Sequence, residues 1–293
     1  MPSPIAPRPD VGGDCACRIC GGPGRPWLEK KGLPLLRCSR CGNGYLPDAR
    51  VPDDLESLYS REYFEGGRET GYPAYLEAPL LAANFERRLA WIEGLQGPGR
   101  LLDVGAAYGL FLKAARARGW DPVGVEIAPD CAEQARRIAE VPVQAGDFLE
   151  VPLEPGFDVI TFFDVIEHMR RPADCLARAA GLLRPGGWVV VETGDLASPW
   201  ARLLGRYWYF LDPPQHLAYF SARGLEASLR AAGLSGALRR CRPGRRVSLA
   251  NMAFKLSQAL PGALGRPLFP LRRLPGSLYL RFGDGLLVAA QRP

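Results

Sequence analysis

The chain has 293 residues, 47% of them hydrophobic, with 37 basic against 31 acidic side chains and a formal net charge of +6. That is enough for one core of ordinary domain size with a small module appended. No run approaches the roughly 18 apolar residues of a membrane span, and no secretory pattern is read, so a reducing, cytoplasmic setting without a disulfide framework is expected.

Residues 1–14 are proline-rich and lack an apolar run, as in a disordered leader rather than a targeting peptide. Two C-x-x-C-G knuckles follow, Cys17/Cys20 and Cys38/Cys41, with 17 residues between them. Two thiolates two residues apart reach one metal, and four complete a closed tetrahedral site. Residues 15–47 are therefore expected to form a zinc ribbon, with iron in a rubredoxin-like site as the alternative ion. Such a site has no open coordination position, so it staples the segment and does no chemistry. Cys15 is a spare ligand or a bystander. Cys131, Cys175 and Cys241 fall in helix or strand patterns and read as small buried hydrophobes.

Residues 48–98 are expected to form a helical, tyrosine-rich cap with Tyr59, Tyr63, Phe64, Tyr72 and Tyr75. Its helix, Pro73 to Leu95, sets Leu76, Leu80, Leu81, Phe85, Leu89 and Ile92 on one face. From residue 99 strands and helices alternate. A strand ending on Asp103 runs into a loop with Gly105, Ala107 and Gly109, then a helix over 110–119. Small residues at a helix start let backbone N–H groups approach a carboxylate or phosphate. The glycine spacing of a dinucleotide fingerprint is absent, which disfavours NAD or FAD. Further strands follow at 121–125, capped by Glu126; at 141–146, ending at Asp147; at 157–163, followed by Asp164; and at 188–192, entered through a Pro-Gly-Gly turn. This pitch predicts an α/β, doubly wound parallel sheet, with its ligand beyond the carboxyl ends where Asp103, Glu126, Asp147 and Asp164 fall.

The pattern Asp103-x-Gly105-x-x-x-Gly109, with Ala107 at a usual glycine, resembles motif I of the class I S-adenosylmethionine-dependent methyltransferases over about residues 60–293. The resemblance implies that this loop, with Asp103 and Asp164, holds S-adenosylmethionine. It implies Glu126 on the ribose hydroxyls, Asp147 on the adenine amino group, and Phe148 or Ile127 against the adenine ring. Tyr63 is expected to shield the sulfonium from water.

His168 follows the fourth strand in Ile-Glu-His, and His216 lies in a segment resembling the Pro-x-His-x-x-x-Phe-Ser stretch of zinc-ribbon small-molecule methyltransferases. Either is a candidate base for a hydroxyl acceptor, His216 the favoured one, with Trp208, Tyr209 and Phe210 walling a pocket and Ser221 capping the next helix. Asp164, Glu167 and His168 share a turn, the kind of acid-x-x-Glu-His group that holds Mg²⁺ in some O-methyltransferases.

Basic residues collect late: 11 of 37 lie in residues 239–293 against Asp284 alone. Arg239, Arg240, Arg242, Arg245 and Arg246 form one cluster; Arg266, Arg272 and Arg273 form another. Between them an amphipathic helix over 247–260 is expected, inside a basic helical insertion at about 243–280 of the 99–293 domain. Such a patch suits a phosphate-bearing substrate, an anionic membrane surface or RNA. The favoured function is methyl transfer to a small polar acceptor such as a sugar, glycan or natural product. Two alternatives stand: a zinc-ribbon ribosomal RNA methyltransferase, since residues 15–47 hold six basic residues against one acid, and a non-catalytic zinc-ribbon adaptor.

Overall fold

A computed structural model of the protein describes residues 16–52, 78–249, 276–281 and 283–293. Tyr63 and its neighbouring aromatics, the second arginine cluster and residues 250–260 of the expected late helix lie outside the described residues.

The ribbon comprises β1 (Gly24–Lys30), β2 (Leu33–Cys38) and β3 (Gly44–Tyr45), all antiparallel. Helix α1 (Ala78–Glu93) follows, then β4 (Arg100–Val104), α2 (Leu110–Ala117), β5 (Asp121–Glu126), α3 (Pro129–Ala139) and β6 (Val143–Ala145). Next come β7 (Phe157–Phe163), α4 (Pro172–Leu182), β8 (Leu183–Gly194), α5 (Pro199–Leu204), β9 (Ala218–Tyr219) and α6 (Ala222–Ala231). The chain closes through β10 (Leu238–Cys241), β11 (Arg245–Ser248), β12 (Ser277–Leu280) and β13 (Gly285–Gln291).

Seven strands make the central sheet in the order β10-β13-β8-β7-β4-β5-β6, all running one way except β13, which pairs antiparallel with both β8 and β10. Its middle strands are runs of Val, Ile, Leu and Phe because both faces are covered, and successive residues serve opposite layers. Leu102, Ile160 and Val189 face Leu176 of α4 and Leu225 of α6. Their neighbours Leu101, Val159 and Val190 face Leu89 of α1, Leu112 of α2 and Ala135 of α3. The doubly wound sheet expected from the sequence is thus present, and among the described residues no helix is long and apolar enough to cross a membrane.

Two local expectations change. The Pro-Gly-Gly turn is absorbed into an irregular start of β8, whose register against β7 shifts between Phe157 and Val159. Residues 245–248, which include the start of the expected late helix at Val247, instead form β11, paired antiparallel with β12. The partner strand overrides the helical spacing there, and Asn84 of α1 fixes it by bonding both the N–H (2.7 Å) and the carbonyl (3.1 Å) of Arg246.

The ribbon is not set apart from this sheet. Strand β3 pairs with β9, so the ribbon sheet runs β1-β2-β3-β9 and takes its fourth strand from residues 218–219. Leu35 and Leu46 of the ribbon share a core with Trp208, Phe210 and Leu217.

Candidate functional site

The expected cofactor residues converge where β4, β5 and β7 end. Gly105, Ala107 and Gly109 all have positive φ, at 75°, 48° and 74°. The turn needs Gly105 for room as well: a Cβ there would lie 2.4 Å from a methyl of Val165. Ala107, the departure from the usual glycine, adopts the left-handed conformation at a cost of about 1–2 kcal/mol. Two contacts offset it: its side chain is buried with Cys131, and its N–H donates to Glu126 Oε2 at 2.8 Å.

Glu126 accepts a second bond from the Ala128 N–H at 3.0 Å, so one carboxylate braces both the motif I loop and the entry to α3. Burial raises its pKa, opposed by these backbone donors. Asp103 accepts from the Thr161 hydroxyl at 2.6 Å, and burial pushes it up to about 7, the Thr161 bond opposing and Glu126 adding. Asp147 accepts from the Leu149 N–H at 2.8 Å. None of these three acids has a basic side-chain partner among the described residues. Carboxylates only accept hydrogen bonds, so the crevice suits a ligand rich in hydroxyl and amino donors. Ile127 is half-buried beside Glu126, whereas Phe148 is buried in the core against Phe162, with Arg178 over its ring. Asp164 has a φ of 53°, and its N–H donates to the Glu192 carbonyl at 2.9 Å.

The two histidines meet. Their rings lie 4.7 Å apart, edge to face. His168 Nδ1 is 2.9 Å from the Gln215 carbonyl and His216 Nδ1 is 2.6 Å from the Phe210 carbonyl. A carbonyl only accepts, so each Nδ1 donates, and in the neutral ring Nε2 is the basic nitrogen. Burial pulls His168 down to about 3, with His216 adding to the effect. Ligand atoms of Glu167, His168 and His216 lie within 4.8 Å of one another. Burial holds the Glu167 carboxyl well above its ordinary range, with Asp164 adding. The cluster therefore joins His216 to Glu167 and His168. Trp208 and Phe210 are buried rather than lining an open pocket, though the Phe210 ring lies 4.3 Å from that of His216.

Cys17, Cys20, Cys38 and Cys41 bring their sulfurs within 4.8 Å of one another, with pairs at 3.5 and 3.8 Å. A tetrahedral ion with Zn–S bonds of about 2.3 Å requires sulfurs about 3.8 Å apart, so the set fits a structural zinc. Cys15 lies outside the described residues.

Several residues that hold the site carry no sequence signal of their own. Thr161 supports Asp103. Asn43 of the ribbon accepts from the Ser221 N–H at 3.0 Å, while Ser221 caps α6 by accepting from the Gly224 N–H at 3.1 Å. Arg88 of α1 forms a buried, two-pronged ion pair with Glu192 of β8. Only residue periodicity could have flagged the last: an arginine on the apolar side of a helix needs a buried acid.

A seven-stranded sheet of this order, with acids at its strand tips and a left-handed loop opening α2, defines a class I methyltransferase fold that uses S-adenosylmethionine. A model of the methyltransferase domain family matches residues 74–237, more than half of the chain, and the chain belongs to that family. A ubiquinone biosynthesis O-methyltransferase of Bordetella avium is 31% identical over 179 residues, 51% of this chain and 72% of the relative. The namesake of Bordetella bronchiseptica is 34% identical over 129 residues, 39% of this chain and 52% of that relative. Among solved structures, a SAM-dependent methyltransferase of Thermotoga maritima aligns with a TM-score of 0.52 at 18% identity, covering 75% of this chain and 94% of that one. The protein is a SAM-dependent methyltransferase.

Proposed function

We propose that the chain methylates a hydroxyl group of a small polar acceptor, such as a sugar, a glycan or a natural product, with His216 as the base. The observation that carries this reading is the 2.6 Å bond from His216 Nδ1–H to the Phe210 carbonyl, which orients the ring and leaves Nε2 as its basic nitrogen. His168 is held near 3, too low to be an effective proton acceptor, and serves to orient its neighbour. The relatives named as O-methyltransferases support oxygen as the receiving atom.

Bound S-adenosylmethionine supplies a methyl carbon made electrophilic by its sulfonium charge. Glu126 would hold the ribose hydroxyls and Asp147 the adenine amino group, with Ile127 rather than the buried Phe148 beside the ring. Asp103, Asp164 and the Gly105–Gly109 loop hold the amino-acid end, with Tyr63 as a cover. His216 would take the acceptor's hydroxyl proton, and holding that hydroxyl against the ring would contribute acceleration through proximity and orientation.

A second reading rests on the convergence of Glu167, His168 and His216: a divalent cation held there would lower the acceptor's pKa in place of a base. Labelled S-adenosylmethionine, incubated separately with the small-molecule fraction of a cell extract and with total RNA, tests the acceptor. Label is expected in the small-molecule fraction, in a product that keeps an O-methyl group, and activity should survive EDTA. Label confined to RNA overturns the acceptor class. Loss of transfer in EDTA, restored by a divalent ion with the cysteine-bound metal retained, favours the cation over the base.

A further inference from the structure

A second concave site lies away from the nucleoside crevice, between the Cys38/Cys41 knuckle, α5, the first turn of α6 and the strand end after β10. Its cavity has a volume of about 640 Å³, within the range of small-ligand sites. Six exposed arginines line it: Arg37 and Arg40 of the ribbon, Arg202 of α5, Arg223 of α6, and Arg240 and Arg242 from the sheet edge. One carboxylate, Asp195, shares the lining.

We propose that this cavity binds a phosphate or diphosphate group. The charges already present leave most of the arginines uncompensated. Arg242 is paired with Asp195 at 2.8 Å and Arg240 with Glu226 at 2.9 Å. Among the described residues Arg37 and Arg40 donate to the carbonyls of Gly42 and Cys20 and have no acidic partner. Arg202 and Arg223 have no acidic partner among the described residues. Like charges from four separate elements are thus held around one concavity, where an anion relieves their mutual repulsion and guanidinium forks match phosphate oxygens.

The frame around them is rigid. Asp195 is buried and anchors its own turn by accepting from the Ala197 N–H at 2.9 Å. Ser221, also in the lining, is fixed by Asn43, and the first turn of α6 presents the positive end of its dipole to the cavity. Among the described residues no aromatic side chain lines the site. These residues give a nucleobase no ring to stack on, so the guanidinium set favours the phosphate itself over single-stranded nucleic acid. Asp195 directly follows β8, which sets the site on the carboxyl-end side of the sheet, where substrates of this architecture bind. The ribbon, beyond bracing the fold, supplies one wall of a substrate-side anion site.

The test is calorimetric titration of inorganic pyrophosphate into the full, metal-loaded chain and into Arg202→Ala/Arg223→Ala. Both arginines are exposed, and unchanged S-adenosylmethionine affinity certifies the fold of the variant. Pyrophosphate is expected to bind the wild type at least tenfold more tightly than the double variant at fixed ionic strength. Vesicles of phosphatidylglycerol identify the source of the phosphate. Sedimentation with them that pyrophosphate reverses and the variant lacks supports a lipid headgroup; no sedimentation alongside tight pyrophosphate binding supports a soluble phosphate ester. Equal pyrophosphate affinity in both proteins overturns the proposal, as does RNA binding that pyrophosphate fails to displace. Methyl transfer dependent on His216 is measured separately, so either idea fails without the other.

Discussion

The central sheet and the cysteine ribbon are stabilised in opposite ways. The middle strands of the sheet supply side chains to two apolar layers, one of which also takes in Ile19, Leu36 and Tyr45 of the ribbon. The ribbon strand β1 has no fully buried residue, and the segment is held by four close thiols, by the apolar side chains of β2 and by a strand borrowed from residues 218–219. That borrowed strand begins two residues after His216, and the Leu217 N–H next to it donates to the Glu167 carbonyl at 2.8 Å. A ribbon that reads as a detachable module is thereby wired to the proposed acceptor side, while the acids of the nucleoside crevice are held by bonds within the sheet domain.

Metal removal is the strongest way to break this contrast. Stripping the cysteine site, or Cys38→Ser, should release β3 from β9 and displace His216, lowering methyl transfer by about 10²-fold or more. S-adenosylmethionine affinity should stay within a few-fold, as read by calorimetry beside a metal assay. An equal loss of cofactor binding would show that the two regions are not separable. On the sheet side, Arg88→Met leaves Glu192 buried without its main partner and should cost about 3–5 kcal/mol in urea unfolding. The metal content should not change. Glu126→Gln removes the charge and leaves one of the two bracing N–H groups facing an amide nitrogen, and a fall in cofactor affinity of about 1.5–3 kcal/mol is expected.

The smallest effect is a pH dependence. Burial raises Asp103 from an ordinary 3.8 to about 7, so its contribution to stability is full below about pH 4 and is lost as pH rises through about 7. Asp103→Asn should flatten the melting-temperature profile across that window; superimposable profiles would show that Asp103 is not the buried acid responsible.

What was legible in the sequence is what is written locally. Strand tips with Asp103, Glu126 and Asp147, the left-handed loop between Gly105 and Gly109, and the two knuckles each occupy a few adjacent residues whose types the chemistry dictates. The pairings that join regions are far apart in the chain: Arg88 to Glu192 spans 104 residues and Asn43 to Ser221 spans 178. Helical periodicity marks Arg88 as an arginine on an apolar face but does not name its partner, and Asn43 has no such mark. The same holds for the six arginines of the anion cavity, of which only Arg240 and Arg242 stood in a visible run. Phe148 shows the converse failure: an aromatic at a strand tip suggests a stacking platform, yet its backbone turns the ring into the core. Residues 245–248 failed for a third reason, since the strand that claims them lies beyond a long insertion.

The bond from Ser221 to Asn43 also sets a timetable for biosynthesis. A ribosome adding about 5–20 residues per second needs roughly 10–35 s to travel the 178 residues between them. Throughout that interval the outer edge of β3 is exposed, an open template for another nascent chain. Early metal loading, which fixes the knuckle before β9 emerges, is the step that keeps this edge in register until its own partner arrives.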